Sequence, residues 1–196
     1  MSMRPFWRYY GGKWRLAPRY PRPLPGLPIV EPFAGAAGYS TRYGAHRDVI
    51  LMERDPKIAA IWRWLISATP DDVLSVGDVP EGGTVDDIDA PQAARWLAGF
   101  WVNGATSQPR KTPSKWSRQY SNSSSNWAGW GSKARRRIAA QVDAIRSWQV
   151  VEGDWQDVSG IDATWFVDPP YQTVAGRIYR YHHVDHRTLG EWCRQQ

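Results

Sequence analysis

The stretch IVEPFAGAAG, Ile29 to Gly38, decides the fold. Its first residues, Ile29–Phe33, form a short apolar run that reads as a buried strand. The small residues after it read as a tight turn, with Gly35 able to take backbone angles closed to other residues. A helical pattern follows from about Tyr39 to His46. DVILME, Asp48 to Glu53, is a second strand candidate rich in branched apolar residues. In DPKIAAIWRWLISA, Asp55 suits an N-cap and Pro56 the first helical position. Ile58, Ile61, Trp62 and Leu65 then recur at helical spacing. Strand, glycine turn, helix, strand, acid and helix thus occur in order. This is a βαβ unit, and it calls for a parallel sheet covered by helices.

Downstream, Gly77–Asp89 is acidic and turn-rich and reads as a surface loop. Pro91–Ala105 carries a helical apolar stripe. Thr106–Ser132 reads as a long polar loop, a length that points to function or disorder. KARRRIAAQVDAIRSW, Lys133 to Trp148, predicts a helix whose basic N-terminal half opposes the helix dipole. WQVVEGDW and ATWFVDPPY then predict two more strands, each ending in an acid. Glu31, Glu53, Asp154 and Asp168 all fall at or beside the C-terminal ends of expected strands. That edge is where open α/β sheets bind ligands. Turn preference is the simpler account of any one of these acids; four together, after a glycine turn, point to a site that accepts hydrogen bonds from hydroxyl or amino groups.

The 196 residues suit one domain, and 42% apolar content is ordinary for a globular protein. The 25 basic residues exceed the 19 acidic ones, for a net charge of +6. The excess is weak evidence for a polyanionic partner until its distribution is seen: Arg110 to Arg137 contains no acid at all. One cysteine, Cys193, excludes an internal disulfide framework and a cysteine zinc site, so a reducing, cytoplasmic setting is expected. No apolar run is long enough for a membrane span, and MSMRPFWRYYGGK lacks the apolar core of a signal peptide. His182, His183 and His186 are read as loop residues or neighbours of a ligand pocket, and no metal is expected.

YYGGK (Tyr9–Lys13), EPFAGAAG, the acid in LMERD, EGDW and DPPY (Asp168–Tyr171) occur in the order seen in Dam-like DNA adenine-N6 methyltransferases. The chain resembles that family over nearly its whole length. The resemblance implies an α/β, Rossmann-like S-adenosylmethionine-dependent methyltransferase sheet with a helical and loop DNA-recognition insertion. Residues 1–75 and 148–196 would form the catalytic, cofactor-binding domain, and 76–147 the target-recognition region.

By the same resemblance, Tyr9, Gly11, Gly12 and Lys13 would hold the methionine end of S-adenosylmethionine, with the Lys13 ammonium on its carboxylate. Glu31, Phe33 and Gly35 belong to the turn beneath the cofactor, and Glu53 would accept its ribose hydroxyls. Asp154 and Trp155 would lie around its adenine, with core packing an equal reading for Trp155. Asp168, Pro169 and Pro170 form a corner stiffened by the fixed proline φ. Its carboxylate and a backbone carbonyl would accept hydrogen bonds from the target N6 amino group, with Tyr171 stacked on a base flipped out of double-stranded DNA.

The acid-free segment then gains a role. Lys111, Lys115, Arg118, Lys133, Arg135, Arg136 and Arg137 would neutralise phosphates. Gln119, Asn122 and Asn126 would read adenine edges, and Trp116, Tyr120, Trp127 and Trp130 would stack or wedge. Two departures from the family pattern stand out. Ala37 replaces the second glycine of FxGxG, placing a methyl group where it would crowd the cofactor. The sequence also runs only to Gln196, short of the strands that the resemblance implies beyond a helix starting near Asp185. A second chain completing the sheet is one expectation; a fragment that binds DNA without turnover, or an enzyme acting on RNA, are the alternative readings.

Overall fold

The computed structural model describes residues 2–115, 117 and 129–196. Four strands, β1 (Ile29–Glu31), β2 (Val49–Glu53), β3 (Trp148–Glu152) and β4 (Thr164–Trp165), form one sheet in the order β3-β2-β1-β4. All three pairings are parallel. β1 is buried along its whole length, as a central strand covered on both faces must be. Chain order runs outward from β1 through β2 to β3 and then returns to the other side of β1. The reversal falls between β1 and β4, and the crevice at such a switch point, beyond the strand C-termini, is the ligand position of open α/β sheets.

Side-chain alternation sorts the core into two layers. Ile29, Val49 and Leu51 face one layer together with Ile58, Ile61, Trp62 and Leu65. The last four come from α2 (Pro56–Ser67), whose start is set by Asp55 accepting from the Lys57 N–H and by Pro56 in the first turn. α1 (Gly38–Tyr43) and α4 (Gln92–Trp101) pack into the same layer, as do α3 (Pro70–Ser75) and α5 (Ser132–Ala139). Val30 and Met52 face the opposite layer, against Trp155 and against Leu189 and Trp192 of α6 (His186–Cys193). Helices therefore cover both faces of the sheet.

Some expected elements differ. The helix expected over Lys133–Trp148 stops at Ala139, and a 3-10 turn at Val142–Ile145 follows. Both of its end residues are fully buried, and the break lets Trp148 enter β3 beside Val49. Gly77–Asp89 contains a 3-10 turn at Val85–Asp87. Within Thr106–Ser132, residues 116 and 118–128 lie outside the described residues. The segment 76–147 contributes Val85, Leu97, Phe100, Trp101, Ile138 and Ile145 to the same core as β1 and β2. No helix among the described residues is long and apolar enough to cross a membrane.

Candidate functional site

A cleft of about 900 Å³, part of it open to solvent, lies at the switch point. The turn after β1 supplies Glu31, Phe33 and Gly35; the end of β2 supplies Glu53; the loop after β3 supplies Asp154 and Trp155; and the corner after β4 supplies Asp168, Pro169, Pro170 and Tyr171. Tyr9, Gly11 and Lys13 from the N-terminal segment complete one wall. Residues separated by most of the chain thus share one cavity because four parallel strands end at one edge. Gly12 does not line the cleft; its N–H closes a turn onto the Tyr9 carbonyl at 3.2 Å.

Lys13 is the centre of the polar network. Its Nζ donates to Asp168 Oδ2 at 2.7 Å, to the Gly11 carbonyl at 2.9 Å and to the Tyr171 hydroxyl at 2.9 Å. Burial opposes the charge on Lys13, but Asp168 and Tyr171 outweigh it and hold the ammonium above the ordinary lysine value. For Asp168 burial wins: its carboxyl sits above the usual range despite the pull of Lys13. Lys13, the residue expected on a cofactor carboxylate, donates in this structure to Asp168, Tyr171 and the Gly11 carbonyl. Asp168 Oδ1 makes no hydrogen bond among the described residues, so one carboxylate oxygen is fixed by Lys13 and the other remains an acceptor.

Glu31 lies beneath, 2% exposed, and its Oε1 accepts the Ser40 N–H at 2.6 Å. Burial pushes its carboxyl up to about 8, against the opposing hydrogen bonds from Ser40. Glu53 accepts the Gly35 N–H on Oε2 and the Asp55 N–H on Oε1, each at 2.8 Å. Burial likewise pushes Glu53 up to about 7. Two carboxyls whose environment disfavours their charge favour a positively charged or hydrogen-donating ligand. Burial also raises the Tyr9 hydroxyl well above its ordinary value.

The turn after β1 depends on its small residues. Ala37 takes the left-handed conformation, φ 44° and ψ 55°, a shape that costs a residue with a Cβ about 1–2 kcal/mol. Its methyl is fully buried in the core and does not line the cleft, so it does not crowd a ligand there. The close approach falls one residue later: a Cβ on Gly38 would lie 2.7 Å from the Trp14 nitrogen and 2.8 Å from the Lys13 nitrogen. Gly38 is what lets the Lys13 backbone pack against α1. Gly11, at φ 73°, leaves the space that the Tyr179 hydroxyl fills.

Trp155 is 5% exposed and packs edge-on to Trp192 at 5.3 Å while Phe33 lies 6.5 Å away, so it both lines the cleft and belongs to the core. Asp154 is paired with Arg54 at 3.3 Å. Sequence reasoning missed Arg54, Gln108, Tyr179, Arg180 and Tyr181, which also line the cleft. The last three follow the DPPY corner closely enough to have been suspected. Gln108 carries no local signal; it arrives through a 2.5 Å hydrogen bond to Asp55.

The basic segment is less uniform than its composition. Arg135 pairs with Asp78 at 2.5 Å, which accounts for a cation in the first turn of α5. Arg137 lies 4.6 Å over the Trp101 ring and donates to the Pro5 carbonyl at 2.9 Å. Both serve the fold, as does Trp130, which is 3% exposed and donates to the Gly77 carbonyl. Lys111 pairs with Asp86 at 2.6 Å. Lys115, Lys133 and Arg136 are exposed. Arg118, Trp116, Gln119, Tyr120, Asn122, Asn126 and Trp127 lie outside the described residues. His182 hydrogen bonds the Tyr179 carbonyl and rests 4.1 Å from the His183 ring.

No protein-family model matches the chain, and a search of curated proteins gives no match.

Proposed function

We propose that this chain transfers a methyl group from S-adenosylmethionine to adenine N6 in DNA. The observation that carries the reading is the convergence of Asp168–Tyr171 with Lys13, Glu31 and Glu53 in one cleft at the switch point of a parallel sheet. A cofactor bearing an ammonium and a sulfonium suits a cleft floored by Glu31 and rimmed by Glu53, Asp154 and Asp168. When bound, it supplies an activated methyl group on a positively charged sulfur.

The residues of the chain do the positioning. Lys13 fixes Oδ2 of Asp168 and pulls its carboxyl towards the ionised, hydrogen-accepting form, against burial. Oδ1 is then directed to accept from an exocyclic amino group. Pro169 and Pro170 keep that carboxylate from swinging, and such preorganisation contributes where a floppy acceptor would not. Tyr171, 42% exposed and held through its hydroxyl by Lys13, presents a ring face to a flat base. Stacking of this kind offsets about 1–3 kcal/mol of the cost of unstacking a base from the duplex.

The test is label transfer from tritiated S-adenosylmethionine to unmethylated duplex DNA by the wild type and by Asp168→Ala. Label in DNA with the wild type and its loss in the variant are expected. Equal label with both, or none with folded wild type, refutes the proposal. Label on structured RNA in place of DNA reassigns the substrate.

A further inference from the structure

The acid-free run at 110–137 is not the chain's only concentration of positive charge. The first thirty residues hold Arg4, Arg8, Lys13, Arg15, Arg19 and Arg22, and no acid precedes Glu31. Lys13 turns into the cleft. The next side chain, Trp14, is anchored elsewhere, its indole N–H on the Met3 carbonyl at 2.8 Å. Two guanidiniums rest on that one ring: Arg4 at 5.1 Å and Arg42, from α1, at 4.7 Å from its centroid. Arg137 reaches the same segment from α5 through the Pro5 carbonyl.

These cations crowd one another. Burial, and then the charge of Arg15, holds Arg8 below the ordinary arginine value. Burial, then Arg8 and Arg4, pushes Arg137 down to about 10. Packing like charges together costs stability, and a polyanion laid across them turns that repulsion into attraction. Guanidiniums are also the side chains that match phosphate oxygens in two-pronged geometry. Their spread over three separate elements suits an extended chain of phosphates better than one small anion.

We propose that the surface around Trp14, carried by Arg4, Arg15 and Arg42 and flanked by Arg8 and Arg137, seats the phosphodiester backbone of duplex DNA. Trp14 and Lys13 are neighbours pressed against Gly38, so a backbone seated there borders the Lys13 wall of the cleft. The choice of DNA among polyanions rests on the methyltransfer reading; the charge cluster itself does not.

The test is binding to a fluorescent duplex of about two helical turns, without cofactor, across a salt series. Each phosphate contact contributes about 0.9 to the slope of log K against log salt. The triple variant Arg4→Ala, Arg15→Ala, Arg42→Ala is expected to lose about 2–3 from that slope and roughly tenfold or more in affinity near 0.1 M salt. The double variant Arg4→Ala, Arg15→Ala, confined to exposed side chains, is expected to lose about 1–2. The corresponding triple lysine variant keeps most of the slope. An unchanged slope in the folded alanine variants, or no duplex binding by wild type, overturns the proposal; binding to duplex RNA but not DNA overturns the choice of partner. Methyl transfer is assayed separately. An inactive wild type with the expected slope losses defeats the methyltransfer reading and leaves the surface standing.

Discussion

Glu31→Gln tests the electrostatics of the cleft most directly. The glutamine keeps the shape and an oxygen acceptor for the Ser40 N–H but removes the ionisable proton. An unfolded glutamate titrates near 4.3, whereas in the fold Glu31 is pushed up to about 8. Between those two values the native state holds a proton that the unfolded state has already lost. Native protein therefore loses stability as pH rises through that window, and the loss is complete above about 8. At about 1.36 kcal/mol per pH unit, the window corresponds to roughly 4–5 kcal/mol, an upper figure because a strained buried site relaxes. The variant lacks this loss. Urea unfolding of wild type and variant at pH 5, 7 and 9 is expected to show a difference that is small at pH 5 and grows in favour of the glutamine by several kcal/mol at pH 9. Glu53, pushed up to about 7, adds a decline of the same sign in both proteins and cancels from the comparison. A difference that does not change with pH, or one that grows in favour of wild type, refutes the assignment of Glu31 as a buried, proton-holding carboxyl.

Further outcomes follow from other contacts. Lys13→Met removes the group that pulls the Asp168 carboxyl downward, so the acid limb of the pH profile of the proposed methyl transfer moves to higher pH; an unmoved limb separates Asp168 from the rate. Gly38→Ala sets a Cβ against the Lys13 and Trp14 backbone and is expected to cost about 1–3 kcal/mol in urea unfolding; a loss below about 0.5 kcal/mol contradicts the close approach. Asp55→Ala removes the α2 cap and is expected to cost about 0.5–2 kcal/mol, with a larger loss tracing to the Gln108 hydrogen bond.

What could be read from the sequence was local. Asp55-Pro56 signals its helix because the cap and the first turn lie within a few residues. β1 and β2 are apolar runs, and parallel order follows from the helix between them. The strand-end acids were legible for the same reason, since the end of a strand is marked in the chain. β4 was legible as a strand in ATWFVDPPY but its length was not: only Thr164 and Trp165 pair as strand residues, although the Phe166 N–H still reaches the Val30 carbonyl. Composition misled in the basic segment. Arg135 looks like a phosphate ligand until Asp78 is brought beside it from 57 residues away. The guanidinium surface around Trp14 escaped notice for the converse reason, because Arg42 and Arg137 join it only in three dimensions. Long-range pairing has no signature in a window of neighbouring residues.

The three bonds of the Lys13 ammonium also bear on how the molecule comes to work at all. Two of them close loops of 155 and 158 residues, spans that a chain gathers late because closing them costs the most conformational freedom. The sheet and its helices can assemble while the cleft remains unfinished, and the cleft is completed only when both ends of the chain arrive. Loss of the Lys13 ammonium would thus leave the corner after β4 without its tether, so that a change near the first residues is felt 155 and 158 residues away.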